Sequence, residues 1–472
     1  MAKDTSYDAV MDRRAEIMSR ALGLNYDEFI ISDIAFDYEG MMAKAGYSLE
    51  EVRQIQSESG VGNTPLLELR NITDLVRKTS KRGFGARILI KDEAANPSGS
   101  FKDRRASVSI HHAKKLGYPG VLAATSGNYG AAVASQAAMK NLGCIIVQEV
   151  FDSRHVGQPE IIEKSRKCEA YGAEVVQLTV GPELFYVSLI LLEETGYFNA
   201  SLYSPFGISG VETLGYELVE QIRARYDKDP AYIVVTHAGG GNVTGTARGA
   251  LKAGAKNSTI IGASVDLSGL HMASDNDFNK KSFTTGHTGF GVPFATWPDR
   301  TDVPKNAARP LRYLDRYVTV TQGEVFYVTE ALAQVEGMER GPAGNTSLAA
   351  AIALARELPE DEIVVVQETE YTGAGKHPWA QLDFAKQNGI TVKRGDPKEN
   401  KPGTTIVIPQ HFSQITATEM DLNRMRRSYI RNALERNKVK NVTEEDIRFL
   451  AEDTKTDADF VTSVIRDLGV RL

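Results

Sequence analysis

Lys102 stands in the stretch Asn96-Pro97-Ser98-Gly99-Ser100-Phe101-Lys102-Asp103-Arg104, between the apolar run Ala86-Arg87-Ile88-Leu89-Ile90-Lys91 and a segment, Ala106 to Ile110, that reads as a helix start. A buried strand, a turn built on Asn-Pro-Ser-Gly and a helix predict a strand-to-helix junction for this lysine. An amine at such a junction can be stripped of water and form a Schiff base with a carbonyl cofactor, the route by which lysine becomes a covalent catalyst. A lysine in a polar turn is by itself ordinary, so its companions decide the reading.

Three further segments repeat the pattern of strand, polar turn and helix. After Val121 to Ala124 come Thr125, Ser126, Gly127, Asn128, Tyr129 and Gly130, followed by an Ala-rich helix expected over 131–139. Free amides at that helix start, with the hydroxyls of Thr125 and Ser126, form a natural cradle for a carboxylate, and Asn128 adds an amide that can reach a ring oxygen. After Tyr232 to Thr236, the run His237-Ala238-Gly239-Gly240-Gly241-Asn242-Val243-Thr244-Gly245 lets backbone approach an anion, and a phosphate is the natural guest. No Gly-Lys-Ser/Thr follows, so it is not a Walker loop, and it fits the dinucleotide glycine pattern poorly. After Ile363 to Gln367 comes Glu370-Tyr371-Thr372-Gly373-Ala374-Gly375-Lys376, where the Thr372 hydroxyl can face a ring nitrogen.

The elements that must position these residues follow from the rest of the chain. Its 472 residues, 42% hydrophobic and 25% charged, suit two domains with a large core, and a net charge of −6 provides no global field toward nucleic acid or an anionic membrane. No apolar run reaches bilayer length, and the first residues resemble neither a signal nor a transit peptide. Two cysteines, Cys144 and Cys168, offer neither a disulfide framework nor metal-ligand spacing, so no metal site is expected and a reducing cytoplasm is. Residues 1–60 read as an amphipathic helical extension, with Met11 to Leu24 and Ser48 to Glu58 its clearest helices. To about residue 400, short β-rich runs alternate with Ala-rich helices, which predicts α/β architecture with mostly parallel strands in two sheets. After the linker Gly395 to Gly403 a charged helical extension over 401–472 is expected, with Arg424, Arg426, Arg427, Arg431, Arg436, Lys438 and Lys440 on one helix. Those charges read either as a solvated face or as a surface for an acidic subunit or the phosphates of coenzyme A.

In order and spacing, Gly62-Asn63-Thr64-Pro65-Leu66, the Ser-Phe-Lys-Asp-Arg stretch, Thr-Ser-Gly-Asn, the Gly207 to Glu217 segment with Glu212 and Thr213, and the glycine loop resemble the fold-type II pyridoxal-phosphate enzymes, the threonine synthase and cysteine synthase group. The resemblance covers roughly residues 60–380. It implies a tryptophan synthase beta-like fold of two three-layer α/β/α domains: a large cofactor-binding domain over 61–110 and 211–400, and a small mobile domain over 111–210. By the same resemblance, pyridoxal 5'-phosphate is attached to Lys102, and Asn128 bonds its phenolic oxygen. Thr125, Ser126 and Gly127 hold the substrate carboxylate, Gly239, Gly240, Gly241, Asn242 and Thr244 line the phosphate cup, and Thr372 faces the pyridine nitrogen. One departure concerns the reaction. Where threonine synthase and its deaminating relatives carry Glu-Pro, this chain reads Gly341-Pro342.

Over its whole length, extensions included, the chain also resembles beta subunits of a coenzyme A-dependent thiolase group within these enzymes. That implies cleavage of 2-amino-4-oxopentanoate to acetyl-CoA and alanine in ornithine breakdown, with Lys102 taking the Cα proton as general base. It also implies a small alpha subunit as partner, and association into a homo-oligomer. His237, His287 and Tyr129 are candidates for stabilising an oxyanion, whereas Cys144 in an apolar strand reads as an inert buried thiol. Competing expectations are β- or γ-elimination or replacement, as in threonine synthase, threonine dehydratase or diaminopropionate ammonia-lyase, and a catalytically idle cofactor-binding subunit. A nicotinamide-dependent oxidoreductase using Gly239 to Gly245 with Asp266 leaves the lysine and Thr-Ser-Gly-Asn without a role.

Overall fold

The computed structural model of the chain describes residues 3–125, 127–151, 155–179, 183–267, 283–284, 305–372 and 377–471. Its largest sheet has seven strands in the order Leu66–Glu68, Arg87–Asp92, Ile363–Glu368, Tyr232–Thr236, Thr259–Val265, Arg316–Val320 and Thr418–Glu419. The five central strands are parallel, and the two edge strands run antiparallel to them. Uninterrupted apolar runs explain this arrangement: a strand such as Ile363–Glu368, buried along its whole length, suits a sheet covered by helices on both faces.

A second sheet of four parallel strands, Glu174–Thr179, Gly143–Phe151, Gly120–Ala124 and Phe198–Asn199, lies beside the first. The chain enters it after Arg87–Asp92 and returns before Tyr232–Thr236. Two helices make those crossings, Lys102–Lys115 outward and Pro205–Tyr226 back, and they pack against one another. Gly210 permits the contact, since a Cβ there would stand 2.8 Å from the carbonyl carbon of Arg104.

Both extensions are packed parts of the body. Helices Tyr7–Asp12 and Arg14–Leu22 lie on helix Glu183–Thr195 of the four-stranded side, and Arg13 Nη2 pairs with Glu193 at 2.7 Å. Phe36 meets Phe449 with ring centroids 5.1 Å apart, and Tyr38 donates to the Ala307 carbonyl at 2.9 Å. From the other end of the chain, buried Asp453 accepts from Arg309 at 3.1 Å and Arg312 at 3.0 Å. The extension over 401–472 differs from the expected run of helices. Its first element, strand Thr405–Pro409, pairs in parallel with Thr391–Gly395, and Thr418–Glu419 joins the large sheet before helices Leu422–Arg436, Glu444–Thr454 and Ala458–Asp467 begin. The linker Gly395 to Gly403 is therefore the crossover between two strands. Helix Gln322–Glu336 covers the pair, which lets Thr405–Pro409 bury four of its five residues. Among the described residues no helix is long and apolar enough to cross a membrane.

Candidate active site

Lys102 is the first residue of helix Lys102–Lys115. The turn before it closes through the Gly99 amide on the Asn96 carbonyl at 2.8 Å, with Gly99 at φ +77°, a conformation that favours glycine. The same turn is bonded to the segment after strand Ile363–Glu368: Phe101 N–H donates to the Thr369 carbonyl at 3.0 Å, and Tyr371 N–H to the Gly99 carbonyl at 2.8 Å. Lys102 Nζ lies 4.4 Å from the centroid of the Phe101 ring. Burial first, and the Arg105 guanidinium second, hold its amine well below the ordinary lysine range. A neutral amine is the form that attacks a carbonyl.

Beneath this helix, two of the segments that carry the family resemblance converge on one cation. Arg104, fully buried, bonds Glu93 through Nε at 2.7 Å and Nη2 at 2.8 Å, and Glu217 through Nη2 at 2.8 Å and Nη1 at 3.1 Å. Its Nη1 also donates to Thr213 Oγ1 at 3.0 Å. Glu217 in turn accepts from the Asn63 amide at 3.0 Å and pairs with Lys91 at 3.1 Å. Burial would raise the Glu217 carboxyl, but Arg104 and Lys91 hold it down to about 2. The Gly62 to Pro65 turn and the Gly207 to Glu217 segment thus anchor the helix that carries Lys102.

On the four-stranded side, Asn128 opens helix Asn128–Lys140, three residues earlier than expected, since Gly127 ends the turn without a side-chain cap. Thr125 N–H donates to the Val147 carbonyl at 2.9 Å, and Thr125 Oγ1 accepts from the Gly127 amide at 3.3 Å. Ser126 and His287 lie outside the described residues. Asn128 Nδ2 donates to Glu370 Oε2 at 3.2 Å. A Cβ on Gly341 would stand 2.6 Å from Glu370 Cδ and 2.5 Å from Thr372 Oγ1. Lys164, buried on helix Pro159–Ala170, brings its ammonium to 4.0 Å from Glu370 Oε2. Asn128, Glu370 and Thr372 therefore come together beside the turn that carries Lys102, which Ser100 and Gly99 join to the Glu370 segment.

The glycine loop leads into helix Gly241–Lys252, with Gly240 at φ +85° as its N-cap. The first amides of such a helix have no intrahelical acceptor and make an electropositive end suited to a phosphate. A Cβ on Gly239 would stand 2.8 Å from Tyr203 Cζ, one on Gly240 would stand 2.6 Å from Pro310 Cγ, and one on Gly241 would stand 2.9 Å from Arg105 Cζ. Thr244 Oγ1 donates back to the Gly240 carbonyl at 2.9 Å and braces the turn. His237 lies beneath the loop, its Nδ1 3.0 Å from the Tyr317 hydroxyl, and burial pushes it down to about 3. Tyr129 donates to the Ala200 carbonyl at 2.7 Å. Both are therefore engaged in holding the framework. Burial likewise pushes the Cys144 and Cys168 thiols up to about 12.

Residues 58–369 match the family described as pyridoxal-phosphate dependent enzyme. The chain belongs to this family. Over 472 residues, all of both chains, it is 99% identical to a 2-amino-4-ketopentanoate thiolase beta subunit from an unknown prokaryotic organism. A 2-amino-4-ketopentanoate thiolase beta subunit of Acetoanaerobium sticklandii is 64% identical over 468 residues, 99% of this chain and all of that one. Among solved structures, a threonine deaminase of T.th. superposes with a TM-score of 0.52 at 26% identity, covering 69% of this chain and 98% of that one. A pyridoxal 5'-phosphate-dependent aspartate racemase gives 0.57 at 19%, covering 70% and 97%. The architecture is that of the fold-type II pyridoxal-phosphate enzymes, and pyridoxal 5'-phosphate is the cofactor.

The residues present fit a pyridoxal-phosphate enzyme on their own chemistry. Asn242 Nδ2 at the glycine loop and Thr372 Oγ1 beside Gly341 are buried with no hydrogen-bond partner among the described residues. Buried polar groups left this way call for a ligand that completes them. Arg105, Lys164 and Glu370 carry no signal in the sequence that marks them as site residues. Charged residues beside a lysine resemble a solvated helix face, and only the fold shows them turned inward.

Proposed function

We infer that this chain is the pyridoxal-phosphate-bearing beta subunit of a thiolase that cleaves 2-amino-4-oxopentanoate with coenzyme A, giving acetyl-CoA and alanine in ornithine breakdown. The observation that carries the reading is its identity with thiolase beta subunits along the full chain, both extensions included. The balance is simple: the bond between the acetyl carbonyl and the neighbouring methylene breaks, the thiol sulfur takes the acetyl group, and the released carbon ends as the alanine methyl with an added proton.

Bound pyridoxal phosphate supplies an electron sink next to the amino carbon. The rest falls to the protein. Lys102 is assigned as the residue that holds the cofactor and then carries the Cα proton, a role favoured by an amine kept neutral by burial. Thr125, Ser126 and Gly127 are assigned to the substrate carboxylate, at the start of helix Asn128–Lys140. Asn128 would hold the cofactor's phenolic oxygen, and Gly239, Gly240, Gly241 and Asn242, braced by Thr244, its phosphate. Thr372 would face the pyridine nitrogen; a neutral hydroxyl there leaves the ring less cationic than a carboxylate would. Cys144 and Cys168 are buried with raised thiols, which supports direct attack by coenzyme A over an acyl-cysteine route.

A beta subunit implies a second subunit. A small alpha chain that completes the coenzyme A site, self-association and a cytoplasmic location belong to the same proposal. Purified protein, alone and with its partner subunit, is expected to form acetyl-CoA and alanine only when coenzyme A is present. Release of ammonia or a 2-oxo acid without coenzyme A would overturn the assignment.

A further inference from the structure

Arg105 carries a guanidinium to the glycine loop that no expectation from the sequence assigned. The residue is 1% exposed. Its Nη1 donates to the Leu202 carbonyl at 3.0 Å, and its Nε is buried with no hydrogen-bond partner among the described residues. The group lies against Gly241, where a Cβ would stand 2.8 Å from Nη1 and 2.9 Å from Cζ, so glycine at 241 is what lets the guanidinium reach the loop backbone. It also shares the Phe101 ring with Lys102: Arg105 Cζ lies 5.5 Å and Lys102 Nζ 4.4 Å from the same centroid.

Two basic side chains thus lie close together, Arg105 buried and Lys102 half-buried, and among the described residues no carboxylate is paired with either. Arg104, one position earlier, shows the contrast, being enclosed by Glu93 and Glu217. A buried cation without an anion is costly, and an arginine remains charged where a lysine can shed its proton. Burial nonetheless lowers Arg105 to about 10, opposed by the nearby hydroxyls of Tyr203 and Tyr129. An anion at the start of helix Gly241–Lys252 would meet the helix end from one side and the guanidinium from the other.

We propose that Arg105 is a direct ligand of the cofactor's phosphate, adding a charged partner to the backbone cup of Gly239 to Asn242. The proposal rests on the reading of that loop as the phosphate site. It also gives Arg105 a second effect, since its charge lies beside Lys102 and favours the neutral amine.

The test compares apo-protein binding of pyridoxal 5'-phosphate with that of unphosphorylated pyridoxal, read by the visible absorption each acquires on the lysine. Wild type is expected to prefer the phosphorylated form strongly. In Arg105→Gln that preference should fall by a factor on the order of 10 to 100, the size of a hydrogen bond to a charged group, whereas the loss of its charge beside Lys102 acts on both ligands alike and leaves the ratio untouched. Arg105→Lys should lie between the two, and it carries the test should the glutamine variant fail to fold. Equal weakening of both ligands in the variants, or a preference equal to wild type, would overturn the role of Arg105 alone. A wild type without preference would sink the loop reading and this proposal together.

Discussion

The carboxylate of Glu370 stands where a side chain at Gly341 would have to go, with Glu370 Cδ 2.6 Å from the position of a Cβ. The family resemblance leads one to expect Glu-Pro at this helix start, where the chain has Gly341-Pro342. Here an acid reaches the same place from the segment after strand Ile363–Glu368, and Asn128 holds it at 3.2 Å. Gly341→Ala should therefore cost about 1–3 kcal/mol of stability by overpacking and weaken cofactor binding. Adding Glu370→Ala should recover part of that loss. Thermal melts and cofactor titrations of the single and double variants measure the coupling; strictly additive losses would contradict the shared space.

Removing the amine at position 102 gives the plainest result. Lys102→Ala should lose the visible absorption of lysine-bound pyridoxal phosphate and lower turnover by a factor on the order of 10² to 10⁴, as expected for loss of a general base. Persistence of the absorption band in the variant would place the attachment elsewhere.

Arg104 serves the same helix from below. Because both oxygens of Glu93 accept from it in a fully buried pair, Glu93→Ala leaves a buried cation short of its partner and should cost about 3–5 kcal/mol. Urea denaturation of the purified chain checks the figure. A loss below about 1 kcal/mol would mean that the network is not buried in solution.

Much of this was legible in one dimension and some was not. Parallel strands covered on both faces become unbroken apolar runs, so Tyr232–Thr236, Thr259–Val265 and Ile363–Glu368 declared themselves. Strand Thr391–Gly395 did not, because it lies at the surface and carries the charges of Lys393 and Arg394. Turns between strand and helix were equally readable, so the junctions that carry Lys102, Asn128 and Gly239 to Asn242 lie where the sequence put them. Burial of a charge depends on what the fold places opposite it. Arg104 and Arg105 are neighbours of one type in sequence, yet one meets two carboxylates and the other a glycine loop.

His237 predicts how stability depends on acidity. Burial holds it at about 3 in the folded chain, against an ordinary value near 6.5. Between those values the unfolded chain binds a proton that the folded one does not, so stability rises with pH across the window and is lost as pH falls from about 6.5 toward 3. The slope should reach up to about 1.4 kcal/mol per pH unit from this residue. His237→Gln should flatten it, as read from melting temperatures across pH 4 to 7. An unchanged slope would show that other groups set it.

The bridge between Ser100 and Glu370 joins the turn that carries Lys102 to the segment after strand Ile363–Glu368, which is made late in synthesis. Strand Ile363–Glu368 lies between Arg87–Asp92 and Tyr232–Thr236, so each neighbour keeps one edge unpaired, and the two halves of the sheet stay unjoined, until it arrives. Closing so long a stretch of chain is slow and brings no reward until the contact forms. A ribosome-bound intermediate thus already carries Lys102 but not the pocket around it. Cofactor capture is therefore expected late in the life of the chain, and uptake of pyridoxal phosphate during refolding should report insertion of this one strand.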